Sequence, residues 1–296
     1  MITVISGGKA SLKLIKAFRN LLYDNEISVL SNTSDSLWKD GNLLCPDLDD
    51  AVFLFSGQLN TLQWTGVKGD TFSTDKLVEK ITGNTPIIST GDKARAVCIA
   101  RSNILREGKS LTDAAESLCS YFNITSKILP VTDSRYAAFA EIDNKIFTIP
   151  EFRKLYSYDY TAEFRASVSV DFKKVPKISD KAADLINCSD AIIIGPENMN
   201  TVISPVLACR DVRKLLKSRY VISVIPKIPA DYTAEKYPAW LNILKTLVSV
   251  SDIIIQDIKE ENTLFGAVRL NTDLGTAHKA ESLAWEIMSI IRSRSN

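Results

Sequence analysis

Three aspartates within four residues, in Cys45-Pro46-Asp47-Leu48-Asp49-Asp50, open a helix predicted by the apolar run Val52 to Phe55. Acids in a first helical turn commonly partner the helix dipole. Beside a phosphate they would also suit magnesium, which prefers oxygen ligands, needs only one or two carboxylates and keeps several waters. Ser6-Gly7-Gly8-Lys9-Ala10-Ser11 lies between an apolar run and a helix-like run. There glycine lets the backbone approach a ligand, and the helix N–H groups face an anion. A tight strand-to-helix turn would use the same glycines, and the loop has neither GxGxxG nor Walker A spacing. Asn32-Thr33-Ser34-Asp35-Ser36 offers short polar side chains to a hydroxyl or a phosphate-bound metal, or to its own backbone as a cap or turn. Thr90-Gly91-Asp92-Lys93-Ala94-Arg95 adds two cations suited either to phosphate or to a solvated helix face. Gly195-Pro196-Glu197-Asn198, with Ser204-Pro205 beyond it, repeats the pattern.

The elements that must position these loops can be read from hydrophobic pattern. Short β-branched runs at Ile2 to Ser6, Ile27 to Ser31, Pro86 to Ser89, Ala191 to Ile194, Tyr220 to Ile225 and Asp252 to Gln256 predict strands covered on both faces. Helix-like stretches separate them. Leu14, Phe18, Leu21 and Leu22 recur at helical spacing after the first strand, Lys93 to Arg106 and Ser110 to Phe122 follow, and Ala182 to Ile186, Val202 to Leu216, Trp240 to Val250 and His278 to Arg292 complete the set. Strand–helix–strand units of this kind are parallel and right-handed. The fold class is therefore α/β, a doubly wound, mostly parallel, Rossmann-like sheet. Tyr136 to Ile149, with an Asp143-Asn144 turn, and Arg165 to Phe172 read instead as antiparallel or edge strands. The chain is expected to be a single α/β domain over 1–296, with residues 134–176 inserted in it. In such sheets ligands collect at the carboxyl ends of strands, where several of the polar loops above fall.

Composition removes several alternatives. Thirty-six basic against 35 acidic side chains leave a net charge of +1, so no global field draws the chain to nucleic acid. No apolar run reaches the length of a membrane span and the N-terminus carries no secretory pattern, which predicts a cytoplasmic protein. The five cysteines are far apart, without metal or redox spacing, and are expected to be free and mostly buried. The single histidine, His278, falls in the final helix, so histidine-centred zinc or triad chemistry is hard to build. Three tyrosines at spacing two, Tyr156, Tyr158 and Tyr160, would share a face if extended; packing of the insertion onto the body is the preferred use for them.

Taken in order, the loops resemble the 2-phospho-L-lactate transferase family, particularly its archaeal members. The matching stretches are Ser6-Gly7-Gly8, Asn32-Thr33, Leu37 to Leu43 running into Pro46-Asp47-Leu48-Asp49, Gly69-Asp70-Thr71-Phe72, Gly91-Asp92-Lys93, Arg101-Ser102-Asn103 through Ser110-Leu111-Thr112, Ile128-Leu129-Pro130 with Asp133, and Ile194-Gly195-Pro196 with Asn198 and Ser204-Pro205. The resemblance implies a magnesium-dependent enzyme that moves a phospholactyl group from a guanosine diphospho donor to the ribityl hydroxyl of a deazaflavin, releasing GMP in coenzyme F-420 biosynthesis. It assigns Asp49 and Asp47 to catalysis. Gly7, Gly8, Gly195, Asn198 and Ser204 fall to the donor, and Asp49, Asn32 and Ser89 to the acceptor. Asp35 and Asp47 fall to magnesium, and a homodimer is implied.

This chain departs from the family pattern in places. Lys9-Ala10 replaces a Thr-Gly, Asp35-Ser36 replaces a pair of acids, Ser89 replaces a basic residue, and Glu197 stands in a loop that is otherwise Pro-Ser-Asn-Pro. Two other readings stay open on these residues: a non-catalytic regulator of the same superfamily that binds a nucleotide or nucleotide sugar, and a paralogous transferase with another donor or acceptor.

Overall fold

Continuous apolar strands need cover on both faces, and the first strand shows how it is provided. In a computed structural model of the protein, which describes residues 1–294 apart from 87, 135–136, 157–158, 160, 172–174, 229–232 and 234, strand β1 (Ile2–Ser6) is buried at all five positions. Its Ile2 and Val4 join one core and its Ile5 the other, as alternation across a pleat requires. The remaining strands are β2 (Ile27–Ser31), β3 (Leu37–Lys39), β4 (Asn42–Leu44), β5 (Ile128–Pro130), β6 (Ala137–Ile142), β7 (Lys145–Thr148), β8 (Ser167–Asp171), β9 (Ala191–Ile194), β10 (Val221–Val224), β11 (Ile253–Asp257) and β12 (Val268–Leu270).

Among the described residues, seven strands form one sheet in the order β12-β11-β10-β9-β1-β2-β5. Every neighbouring pair is parallel. Helices Lys9–Phe18, Pro46–Phe55, Leu111–Tyr121 and Ala277–Arg294 contribute to the first core. Helices Asp180–Cys188, Ser204–Ala208, Val212–Leu216 and Pro238–Val248 contribute to the second. The fold is the doubly wound α/β arrangement the sequence predicts. Sheet growth runs outward from β1 through β2 to β5, then returns to the other side of β1 and runs through β9 to β12. The direction reverses between β1 and β9, and their carboxyl ends frame the crevice where α/β proteins hold ligands.

Between β5 and β9 the chain builds an antiparallel sheet in the order β7-β6-β8 with a small core of its own, including Ala138, Ala140, Ile149 and Phe152. Asp143 and Asn144, both left-handed (φ 50° and 58°), make the β6–β7 turn, the geometry a two-residue hairpin loop needs. Tyr156 packs against Phe147 and Phe152 within this unit; Tyr158 and Tyr160 lie outside the described residues.

Two expected elements differ. Pro86 to Ser89 forms no strand at its described positions: proline has no N–H for a ladder, and the Ile88 carbonyl accepts from Lys39 Nζ (2.8 Å). The helix expected over Val202 to Leu216 is broken. Val202 and Ile203 end a single π turn, Met199–Ile203, and Asp211 is left-handed (φ 73°). Arg210 is pulled out to pair with the segment before the Asp180–Cys188 helix, its N–H donating to the Pro176 carbonyl (2.8 Å) and its carbonyl accepting from Ile178. Strands β3, β4, β5 and β12, three residues each, are additions to the expected set.

Candidate active site

A cavity of about 1100 Å³ opens over the carboxyl ends of the parallel strands, lined on its central floor by Gly7, Gly8, Asp35, Asp47, Arg153 and Glu197. The loops after β1, β2 and β9 thus converge with the acidic helix start and with Arg153 of the antiparallel insertion, which also lends Pro150, Lys154 and Phe164 to the wall. Gly7 is tightly enclosed: a Cβ there would overlap Val202 and come within 2.8 Å of the Asn32 Cβ. Its glycine requirement comes from packing of the β1, β2 and β9 loops on one another.

Asp47 stands in the first turn of helix Pro46–Phe55, with proline ahead of it at a position that suits a helix start. Its carboxylate accepts from Asn32 Nδ2 (2.9 Å) and from Arg153 Nη1 (3.1 Å). Its backbone N–H donates to Asp35 Oδ2 (3.0 Å), which also faces Arg153 at 3.4 Å. The guanidinium reaches on to the Gly7 carbonyl (3.3 Å). Asp35 Oδ1 is buried and without a hydrogen-bond partner. Burial, reinforced by the Asp47 charge, pushes the Asp35 carboxyl well above the usual carboxylate range, against the pull of Arg153.

Asp50 lines the cavity beside Trp64 and Thr65. It accepts from the Gly66 N–H (2.7 Å), yet burial carries its carboxyl up to about 7. Glu197, from the β9 loop, accepts from both the backbone N–H and the hydroxyl of Ser11 in the first turn of helix Lys9–Phe18; burial raises its carboxyl as well.

The residues singled out from sequence divide accordingly. Gly7, Gly8, Asp35, Asp47, Ser89 and Asn198 line the cavity. Asn32 lies behind it, its side-chain oxygen accepting from the Ser34 N–H (3.1 Å) while its amide holds Asp47. Gly195 packs against Ser11, and Ser204, which begins helix Ser204–Ala208, is not among the lining residues. Asp49 turns the other way, onto Arg101, a fully buried guanidinium that also donates to the Leu43 carbonyl (3.0 Å). Burial raises the Asp49 carboxyl and the Arg101 charge draws it back.

Other shared motifs have structural work. Asp70 accepts from the Lys93 and Ala94 N–H groups (2.9 and 3.1 Å), while Asp92 accepts from those of Ser73 and Thr74 (both 3.0 Å). Each acid thereby caps the other's helix, and the pair positions the loop that brings Ser89 to the cavity rim. The Thr71 hydroxyl and these N–H groups hold the Asp92 carboxyl below its usual range.

Arg153 was not singled out from sequence, and Asp50 entered only as one of the three aspartates at the helix start. For Asp50 a signal existed: residues three apart share a helix face while residues two apart do not, so Asp47 and Asp50 point one way and Asp49 the other. For Arg153 the neighbouring sequence, Phe152-Arg153-Lys154, looks like any solvated helix end. Only the docking of the insertion brings it to the crevice.

Asp35 and Asp47 fit magnesium, which can bind through two carboxylates, substrate phosphate and water; the partnerless buried Asp35 oxygen is the observation in favour. The described residues contain no cluster of three or more potential metal-binding side chains, so the protein would supply only part of the coordination.

These features define a parallel α/β protein with an acid-and-arginine site at its topological switch point. The 2-phospho-L-lactate transferase CofD family model matches residues 2–281, and the chain belongs to that family, a family of transferases. Curated 2-phospho-L-lactate transferases of Methanocorpusculum labreanum and Methanospirillum hungatei are each 35% identical to it, over 98% of this chain and 98% and 99% of theirs. That of Methanosarcina barkeri is 36% identical over 76% of this chain and 72% of its own. Two crystal structures of a Bacillus halodurans protein share the fold, with TM-scores of 0.55 and 0.56 at 14% and 13% identity, covering 88% of this chain and 81% and 82% of theirs. Among the described residues no helix is long and apolar enough to cross a membrane.

Proposed function

We propose that the crevice transfers a phospholactyl group from a guanosine diphospho donor to the ribityl hydroxyl of a deazaflavin, as a cytoplasmic step of coenzyme F-420 biosynthesis. The observation that carries this reading is the Asp35–Asp47–Arg153 cluster at the β1–β9 switch point of a cavity large enough for two ligands. The donor phosphates would lie over Gly7, Gly8 and Asn198, and the acceptor toward Ser89, Trp64 and Asp50. A carboxyl held near neutrality at Asp50 can donate a hydrogen bond to a ring carbonyl at neutral pH, a role the buried Asp49 is badly placed to fill.

In the transfer, the alcohol oxygen bonds to phosphorus as the phosphoanhydride bond breaks, and GMP and a proton leave. Arg153 neutralises charge on the transferring oxygens, the kind of positioned cation that dominates phosphoryl-group chemistry. Asp35 and Asp47 would hold magnesium, which would offset further charge on the donor phosphates when bound. The testing experiment supplies the protein with magnesium, the phospholactyl guanosine diphospho donor and the deazaflavin, and follows GMP release and the phosphorylated deazaflavin product by chromatography. Both products should appear together in equal amounts. Their absence with saturating substrates and folded protein would refute the reading.

A further inference from the structure

The crevice between β1 and β9 is already bridged by an anion of the protein's own. Glu197 leaves β9 through a turn in which its N–H donates to the Gly195 carbonyl (2.8 Å). Its buried carboxylate lies across the reversal point on the Ser11 N–H and hydroxyl. Those are donors of the first turn of a ten-residue helix, where an anionic ligand would otherwise be held. The second carboxylate oxygen lies 2.5 Å from where a Gly8 Cβ would be. Gly8 has φ 152° and ψ −174°, a region open essentially to glycine alone, so the carboxylate fits only because that side chain is missing. A buried hydroxyl of the same cavity, Thr201 Oγ1, has no partner. The cavity lining thus includes a residue with an unpartnered hydroxyl as well as a helix head whose donors are already filled.

A carboxylate and a phosphate cannot share one set of donors, and at this separation like charges repel strongly. We propose that Glu197 is an affinity-determining residue that occupies the phosphate seat at the head of helix Lys9–Phe18, and that a diphosphate ligand binds by exchange with it. This rests on the reading that the crevice takes a phosphorylated donor, but not on which group is transferred. The exchange lowers affinity for every phosphate ligand and favours those with a second phosphate to hold them while the carboxylate is displaced. It also returns an anion to the seat when a diphosphate is cleaved, which speeds departure of a monophosphate.

The test is calorimetric titration of the full-length protein with magnesium pyrophosphate and with GDP plus magnesium, without acceptor and without turnover. Glu197→Ser should bind both probes at least tenfold more tightly than the unsubstituted protein. Glu197→Gln, which keeps the shape and loses the charge, should tighten binding in the same direction and serves if the serine variant does not fold. Asp273→Asn makes the same change of charge elsewhere on the cavity wall and should alter affinity by less than twofold. Unchanged or weaker binding in both Glu197 variants, or equal tightening by Asp273→Asn, would overturn the proposal. Tightening without any phospholactyl transfer would leave it standing while refuting the proposed reaction.

Discussion

Asp47 and Asp49 are two residues apart in one helical turn, yet they belong to different parts of the molecule. Asp47 faces the crevice, shares a half-buried arginine with Asp35, and has a cavity wall on its open side. Asp49 faces inward beneath the β3–β4 hairpin, where Arg101 ties it to the Leu43 carbonyl and two buried thiols crowd it. Burial pushes Cys45 up to about 11 and Cys98 to about 12, so neither thiol ionises near neutrality. The same residue type thus does two jobs. One carboxylate lines the cavity, and the other holds a hairpin against helix Asp92–Arg106, an attachment completed by the Leu43 N–H donating to the Ser102 hydroxyl (2.8 Å).

The largest expected effect of the comparison is on stability. Removing one member of a buried ion pair leaves the other unpaired and costs about 3–5 kcal/mol. Asp49→Ala should therefore lower stability by that order in denaturant unfolding, with Arg101 stranded. A loss below about 1 kcal/mol would mean that the pair is not the clamp described.

A smaller effect concerns Asp50. Its carboxyl lies near 7 in the fold against 3.8 for an ordinary aspartate, so folding favours the protonated form. The stabilisation is fully present below about pH 4 and is lost as pH rises through 7. Asp50→Asn stays neutral throughout. Its melting temperature relative to the unsubstituted protein should therefore rise between pH 5 and pH 8; a difference that stays constant across that range would place the Asp50 titration elsewhere.

Much of this architecture was legible because long β-branched runs have one use. Ile2–Ser6, Ile27–Ser31 and Ala191–Ile194 are strands at the bounds their sequences predict, and the loops after them contribute to the cavity lining. Three-residue strands are too short to show a period, which is why β5 and β12 escaped. The β3–β4 hairpin had a signal in Asp40-Gly41, both left-handed in the fold (φ 51° and 73°), the pair a tight hairpin turn prefers. The site was half legible. Convergence of Gly7-Gly8, Asp35 and Asp47 follows from strand order, and the facing of Asp47 away from Asp49 follows from helical geometry. Arg153 follows from neither, since its position depends on how a separate antiparallel unit packs. Asp70, Asp92 and Arg101, which fall within the shared motifs, serve as caps and a clamp.

The claim that the crevice and the buried clamp divide function from stability is tested most directly by kcat/KM for phospholactyl transfer, measured on Asp47→Asn and Asp49→Asn and corrected for the folded fraction of each. Asp47→Asn should lose at least about a hundredfold, the scale of removing one electrostatic contact from a transfer site, while remaining folded. Asp49→Asn should lose activity only in proportion to its unfolded fraction. Equal corrected losses, or a larger corrected loss for Asp49→Asn, would contradict the division and return Asp49 to the site.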